Sequence, residues 1–183
     1  NQDVGDVLPG SDEQRNLGDE ITAGILDGID PERIDLQQMG ISAMTSGLDN
    51  GTLYGAIVIP SDFTKRTSIL AQASVVPGDV ERPIITAYTN PRTGTFGVNI
   101  TQTIADEATT TVNTTIGEQL TRTVEDTLAT SAPDLQLSGG SRLTLADPID
   151  VRIVAHKPLP DNTGAGLSAF YYTLLLILAG FTG

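Results

Sequence analysis

Cysteine and tryptophan are both missing from the chain. Without a thiol there is no disulfide framework, no thiolate metal site and no cysteine nucleophile. Basic residues are scarce: 10 Lys and Arg face 23 Asp and Glu, a formal charge of −13 and a pI of about 4.1. A surface of that sign repels phosphate, so nucleic acid is excluded as a partner. The single histidine, His156, closes a predicted strand and reads as a surface or interface residue rather than a general base. A serine nucleophile would need such a base and a Gly-x-Ser-x-Gly elbow, and Gly166-Leu-Ser-Ala-Phe170 lacks the second glycine. No stretch fits a phosphate-cradling P-loop.

What is present is enough to fold. Hydrophobic residues make up 39% of the chain, too many for a disordered acidic segment, although aromatics are only 4%. At 183 residues it can form one domain with a sizeable core, or a domain with an appendage. The first sixteen residues are polar and turn-prone. Leu17, Ile21 and Ile25 recur at helical spacing up to Gly28, and Ile41 to Leu48 forms a second helix stopped by Asn50-Gly51. Arg33 to Gln37 alternates weakly, as a strand does. Leu53 to Ile59 is a continuous apolar run bounded by Asn50-Gly51 and Pro60, the signature of a strand covered on both faces, and is expected at the centre of a sheet.

Ser61 or Asp62 is expected to cap a helix running to about Ala73, followed by a second strand over Pro83 to Thr89. Short strands are predicted around Gly139-Gly140, between Leu135 and Ala146, and a further strand over Ile149 to Ala155. The alternation argues for an α/β layer, with a sheet of about four strands and helices packed against it.

One long helix is predicted over about 94–129. Its apolar residues Ile100, Ile104, Ala108, Val112, Ile116, Leu120, Val124 and Leu128 follow one another at intervals of four, so the stripe rotates by roughly 40° per step. A straight rod cannot lay that stripe on one flat sheet. Its first half is expected to pack on the domain and its second half to bend or to meet another element, with the threonines from Thr109 to Thr115 as the place for a break. Ile116, Leu120, Val124 and Leu128 are therefore candidates for self-association, a homo-oligomer being the alternative to an intrachain neighbour.

From Asn162 onward there is no charge, and the run from Leu167 is almost wholly lipid-compatible. It reads as the start of a C-terminal transmembrane helix, with Leu167, Phe170, Tyr171 and Tyr172 at the membrane entry, where amphipathic rings favour the interface. Residues 1–160 then form an extracytoplasmic α/β domain, and 161–183 a linker and the opening of the span. Asp27, Asp30, Glu32 and Asp35 cluster in sequence without the alternation of a calcium loop and read as a solvated acidic turn. No cofactor, metal or catalytic residue is assigned. Asn50, Asn99 and Asn113 match the N-glycosylation pattern, which a threonine-rich chain produces by chance.

Three segments together resemble a known family: Asn1-Gln-Asp-Val-Gly5, Asn16-Leu-Gly-Asp-Glu20, and Gly51-Thr-Leu-Tyr-Gly-Ala-Ile-Val-Ile-Pro-Ser-Asp-Phe-Thr64. They look like the large extracytoplasmic domain of YhgE/Pip-type membrane proteins, relatives of ABC-2 transporter permeases. The passage Pro158 to Tyr171 is similar to that family's entry into its second transmembrane helix. The resemblance implies a non-enzymatic domain inserted between transmembrane helices at the cell membrane, acting in access, assembly or partner contact during export or efflux, with a separate ATPase subunit. It also leaves open a surface binding module, such as a secretion accessory or phage receptor. It supplies no catalytic residue.

Overall fold

The computed structural model describes residues 1–8, 14–73, 81–131, 139–158 and 168–182. In chain order the elements are β1 (Asp6–Val7), β2 (Gln14–Arg15), α1 (Leu17–Gly28), α2 (Ile41–Asp49), β3 (Gly55–Val58), α3 (Phe63–Ala73), β4 (Ile84–Thr89), α4 (Gly94–Ser131), α5 (Gly139–Ala146), β5 (Asp150–Ala155) and α6 (Ser168–Thr182). The fold is mixed α/β, with a two-stranded sheet β1-β2 and a three-stranded sheet in the order β3-β4-β5. β1 and β2 are antiparallel, with Asp6 opposite Arg15 and Val7 opposite Gln14.

The sheet departs from expectation in three places. It has three strands among the described residues rather than four, because Arg33 to Gln37 forms no strand. The apolar run ending at Ile59 gives an edge strand, β3, whose four residues are all half-buried. The centre belongs to β4, in which half-buried and buried side chains alternate. Gly139-Gly140 opens a helix, α5, where short strands were expected; the preceding residues 135–138 lie outside the described ones. Asp150 N donates to Pro83 O at 3.0 Å and His156 N to Thr89 O at 2.8 Å, so β4 and β5 run in the same direction. Parallel neighbours need a long crossover, and α4 with α5 lies within it.

α4 is one unbroken helix of 38 residues, about 57 Å long at 1.5 Å per residue. The break expected at its threonines does not occur. Thr109, Thr110 and Thr114 each donate their hydroxyl to the carbonyl four residues back, at 2.6 to 3.0 Å, so these groups are satisfied along the helix itself.

The chain divides into two compact units. The first comprises 1–38, 57–86 and 104–152, and the boundaries fall within β3, β4, α4 and β5. Its core gathers Leu17 and Ile21 of α1, Ile59, Phe63 and Ala71 of α3, Ile85, Leu145 of α5, Ile149, and Val112, Ile116, Leu120 and Val124 of α4. Leu128 packs against the same cluster. From Val112 to Leu128 the spiralling stripe is thus met by several elements of the unit. Ile116, Leu120 and Val124 are buried by neighbours within the chain, and Leu128 is partly so.

α5 ends against α4. A Cβ on Gly117 would lie 2.6 Å from Leu145 O, too close for any side chain. Beside it the Asn113 amide acts like a piece of strand, with Oδ1 accepting from Ile149 N at 2.9 Å and Nδ2 donating to Ile149 O at 3.2 Å. Asn113 also donates to Asp147 at 2.6 Å. With its amide buried and used in this way, Asn113 is no glycan acceptor.

The amino-terminal segment is tied in by one carboxylate. Asp3 is 8% exposed. Its Oδ1 accepts from Thr64 N at 3.1 Å in the first turn of α3, and its Oδ2 accepts from Gly18 N at 3.0 Å in the first turn of α1. The Thr64 hydroxyl donates to Asp3 and accepts from Leu17 N at 2.9 Å. Asp3 thus supplies the cap of α3 that Ser61 or Asp62 was expected to provide. Asn16 caps α1 by accepting from Asp19 N at 2.9 Å, and donates to Asp3 O. Gln2 N and Val4 N donate to Ile59 O and Ser61 O, which lays residues 2–4 along the chain leaving β3. Gly18 has no room for a Cβ, which would fall 2.6 Å from the Asp3 Cβ.

Replacing Asp3 with Ala leaves two helix-terminal amides and the Thr64 hydroxyl without their acceptor. The expected loss is about 3 kcal/mol in urea unfolding; a loss below about 1 kcal/mol would show that other groups take over the caps. Gly117→Ala is expected to destabilise by roughly 1–3 kcal/mol, although Ala is the better helix former by about 1 kcal/mol, because the backbone of α5 must move. A rise in thermal midpoint for that variant would contradict the packing described.

Candidate membrane-contact site

The second unit comprises 39–56, 87–103 and 153–183. Among its residues Arg92 and Lys157 are the only Lys or Arg, and Asp49 and Asp161 the only Asp or Glu, so its formal charge is zero. The first unit, with 8 Lys and Arg against 21 Asp and Glu, carries the whole of the −13. The charge is therefore distributed by unit rather than spread over the chain.

The neutral unit contains α6, fifteen residues without a charge. Every residue from Phe170 to Phe181 is exposed, Tyr172 at 72% and Phe181 at 84%. Phe170 and Tyr171 make an edge-to-face pair with ring centroids 5.7 Å apart. So long an exposed run of Leu and Ile side chains is unfavourable in water, where each buried side chain of this size gains about 1.5–3 kcal/mol. Fifteen residues extend about 22 Å, against about 30 Å for a bilayer's hydrocarbon core. No helix among the described residues is long and apolar enough to cross a membrane, so α6 by itself does not supply the span expected from the sequence. Of the four predicted entry residues, Phe170, Tyr171 and Tyr172 open this helix; Leu167 lies outside the described residues.

A polar cluster sits in the same unit. α2 ends at Asp49, and its last carbonyls are closed by Asn50 and by Gly51, whose φ of 71° suits glycine. Asn90, fully buried, donates its amide to Leu48 O at 2.8 Å and Leu53 O at 2.9 Å. Three basic side chains converge on Asp49. Lys157 Nζ lies 2.5 Å and His156 Nε2 2.8 Å from its carboxylate, and Arg92 donates to its carbonyl at 3.5 Å. Lys157 holds a left-handed φ of 47°, uncommon for a residue with a side chain. Hydrogen bonds from Lys157 and then His156 hold the Asp49 carboxyl below the usual carboxylate range. A carboxylate at a helix C-terminus is otherwise disfavoured by the helix dipole, so the cations also offset that cost.

The His156–Asp49 pair has the partners of a catalytic dyad, yet no serine or threonine hydroxyl is hydrogen-bonded to the imidazole among the described residues. The residues of the acidic turn, Asp27, Asp30, Glu32 and Asp35, are all exposed, and Asp30 accepts from Glu32 N. No group of three or more His, Asp or Glu among the described residues is placed to hold a metal ion. In the first unit, a groove of about 420 Å³ lies along Asn113, Gly117, Glu118 and Arg122, with Arg122 already paired to Glu118 at 2.9 Å.

Asp49, Arg92 and Lys157 were not singled out from the sequence. Asp49 lies 107 positions from His156, and no motif spans that interval. No family model, curated protein or solved structure matches the chain.

Because the Asp49 carboxyl is held low in the fold, its contribution to stability is complete above the ordinary carboxylate range and is lost as pH falls through the lowered value. Asp49→Asn should therefore lower the thermal midpoint at neutral pH and bring variant and parent together in strong acid. A gap between the two melting curves that stays constant down to strongly acidic pH would show that the pairing contributes nothing through charge.

Proposed function

We propose that the chain is a non-catalytic, extracytoplasmic domain of a membrane transport protein of the ABC-2 permease-like, YhgE/Pip type, acting in access, assembly or partner contact during export or efflux. The observation that carries this reading is α6, an uncharged, exposed apolar helix in the one unit without net charge. A bilayer is the medium that removes such a surface from water, and α6 acts as part of the membrane attachment. The acidic unit needs no such medium, and its charge keeps it off an anionic lipid surface.

The three segments that carry the family resemblance also support it. Asn1 and Asp3, Asn16 and Gly18, and Thr64 are joined by the hydrogen bonds around Asp3. Residues from all three segments thus contribute to one buried polar junction. The ATPase partner belongs to the same proposal: a domain of this kind works beside an ATPase subunit on the opposite side of the membrane.

Since the chain has no cysteine, location can be read without background. Thr111, exposed on α4, is replaced by Cys and the protein is expressed from its own gene. A membrane-impermeant maleimide is expected to label it in intact cells, with the product in the membrane fraction. Labelling only after lysis would overturn the extracytoplasmic assignment.

A further inference from the structure

Asn50 is the chain's only asparagine followed by glycine; the others precede Gln, Leu, Pro, Ile or Thr. Glycine carries no side chain to shield its peptide nitrogen, so in an Asn-Gly pair that nitrogen can reach the asparagine's own amide carbon. The fold leaves this pair open to water. Asn50 and Gly51 are both exposed, the Asn50 side-chain amide makes no hydrogen bond among the described residues, and a Cβ on Gly51 would meet nothing within 4 Å. Asn1, Asn16, Asn90 and Asn113 instead have their amides engaged in hydrogen bonds. Asn99 is exposed as well, but the β-branched Ile100 follows it and crowds the nitrogen that would attack.

The end of α2 restrains the reaction. Asn50 has φ −84° and ψ −5°, a helical conformation in which Gly51 N donates back to Leu48 O at 3.3 Å. That bond is the longest of those closing the turn, and helix ends open before helix interiors. We infer that Asn50 is a site of spontaneous deamidation, where water converts the exposed Asn-Gly pair into aspartate and isoaspartate. The step needs only water and hydroxide. Gly51 N gives its proton to hydroxide and bonds to Asn50 Cγ, and the Cγ–Nδ2 bond breaks. Nδ2 leaves as ammonia with a proton from water, which restores the hydroxide. Water then opens the ring, at Cγ to give aspartate or at the backbone carbonyl to give isoaspartate. Either product puts a second carboxylate beside Asp49, which already holds Lys157 and His156. Isoaspartate also lengthens the backbone by one carbon where α2 is closed. The neutral unit thereby gains a negative charge with the age of the chain, wherever the chain resides.

The test incubates the full chain, folded and unfolded in urea, in mildly alkaline buffer, with circular dichroism confirming each state throughout. Peptide mapping by mass spectrometry is expected to find the mass gain of an NH2-to-OH exchange in the peptide that holds Asn50, before any other asparagine changes. Isoaspartate is expected in the same peptide, detected by enzymatic methylation of its carboxylate. The folded chain is expected to convert more slowly than the unfolded one, because the turn at the end of α2 must open first. Asn50→Gln, whose longer side chain closes the ring far less readily, should abolish the gain in that peptide. If the folded chain shows no gain at Asn50 over a period in which the unfolded chain converts completely, the turn locks the pair and the site is overturned. A gain that appears first at another asparagine overturns it as well.

Discussion

The structure depends first on a carboxylate that has been taken out of water. Asp3 is buried, and a buried charge is tolerated only when its oxygens are filled with donors. Here the donors are the free amides at the starts of α1 and α3 and the hydroxyl of Thr64. The same interaction removes three costs together, because helix N-terminal amides also need acceptors. It places α1 and α3 around one point and lays residues 2–4 along the chain that leaves β3. Phe63, next to Thr64, and Leu17, next to Gly18, are fully buried, so the polar junction directs the first side chains of both helices into the core. The core of the first unit is arranged around that placement.

A second division concerns charge. The formal −13 belongs entirely to the first unit, whereas the second is neutral and contains the exposed apolar helix α6. The cluster at Asp49 follows the same logic: two basic residues and a histidine meet a single carboxylate at the end of α2, where the helix dipole would otherwise oppose it.

Much of the secondary structure was legible because it follows from local pattern. Leu17, Ile21 and Ile25 fall on one helical face, and α1 spans Leu17–Gly28 as their spacing predicts. The long helix ends within two residues of its expected bound. Where reading failed, the cause was non-local. The run ending at Ile59 is apolar enough for a central strand, yet β4 takes that place, because sheet order is decided by pairing partners. Gly139-Gly140 suggested strands and instead begins a helix that packs its end against Gly117. The threonines of α4 have poor helix propensity, but their hydroxyls bond back along the helix, and Val112 to Val124 are held by core packing. The site was legible only in part. The apolar tail was visible from hydropathy, while Arg92 and Asp49 lie in stretches that carry no motif.

The sequence by itself determined the acidic balance, the absence of thiol chemistry, the positions of most helices and strands, and the apolar character of α6. These are properties of composition and of spacing within a few turns, so they need no knowledge of what lies across the fold. Tertiary structure alone decided that Asp3 caps two helices at once, that the stripe of α4 from Val112 to Val124 is buried within the chain, and that the charge separates into an acidic and a neutral unit. Each of those depends on residues tens of positions apart meeting in space, and burial, hydrogen-bond satisfaction and strand pairing select among such meetings.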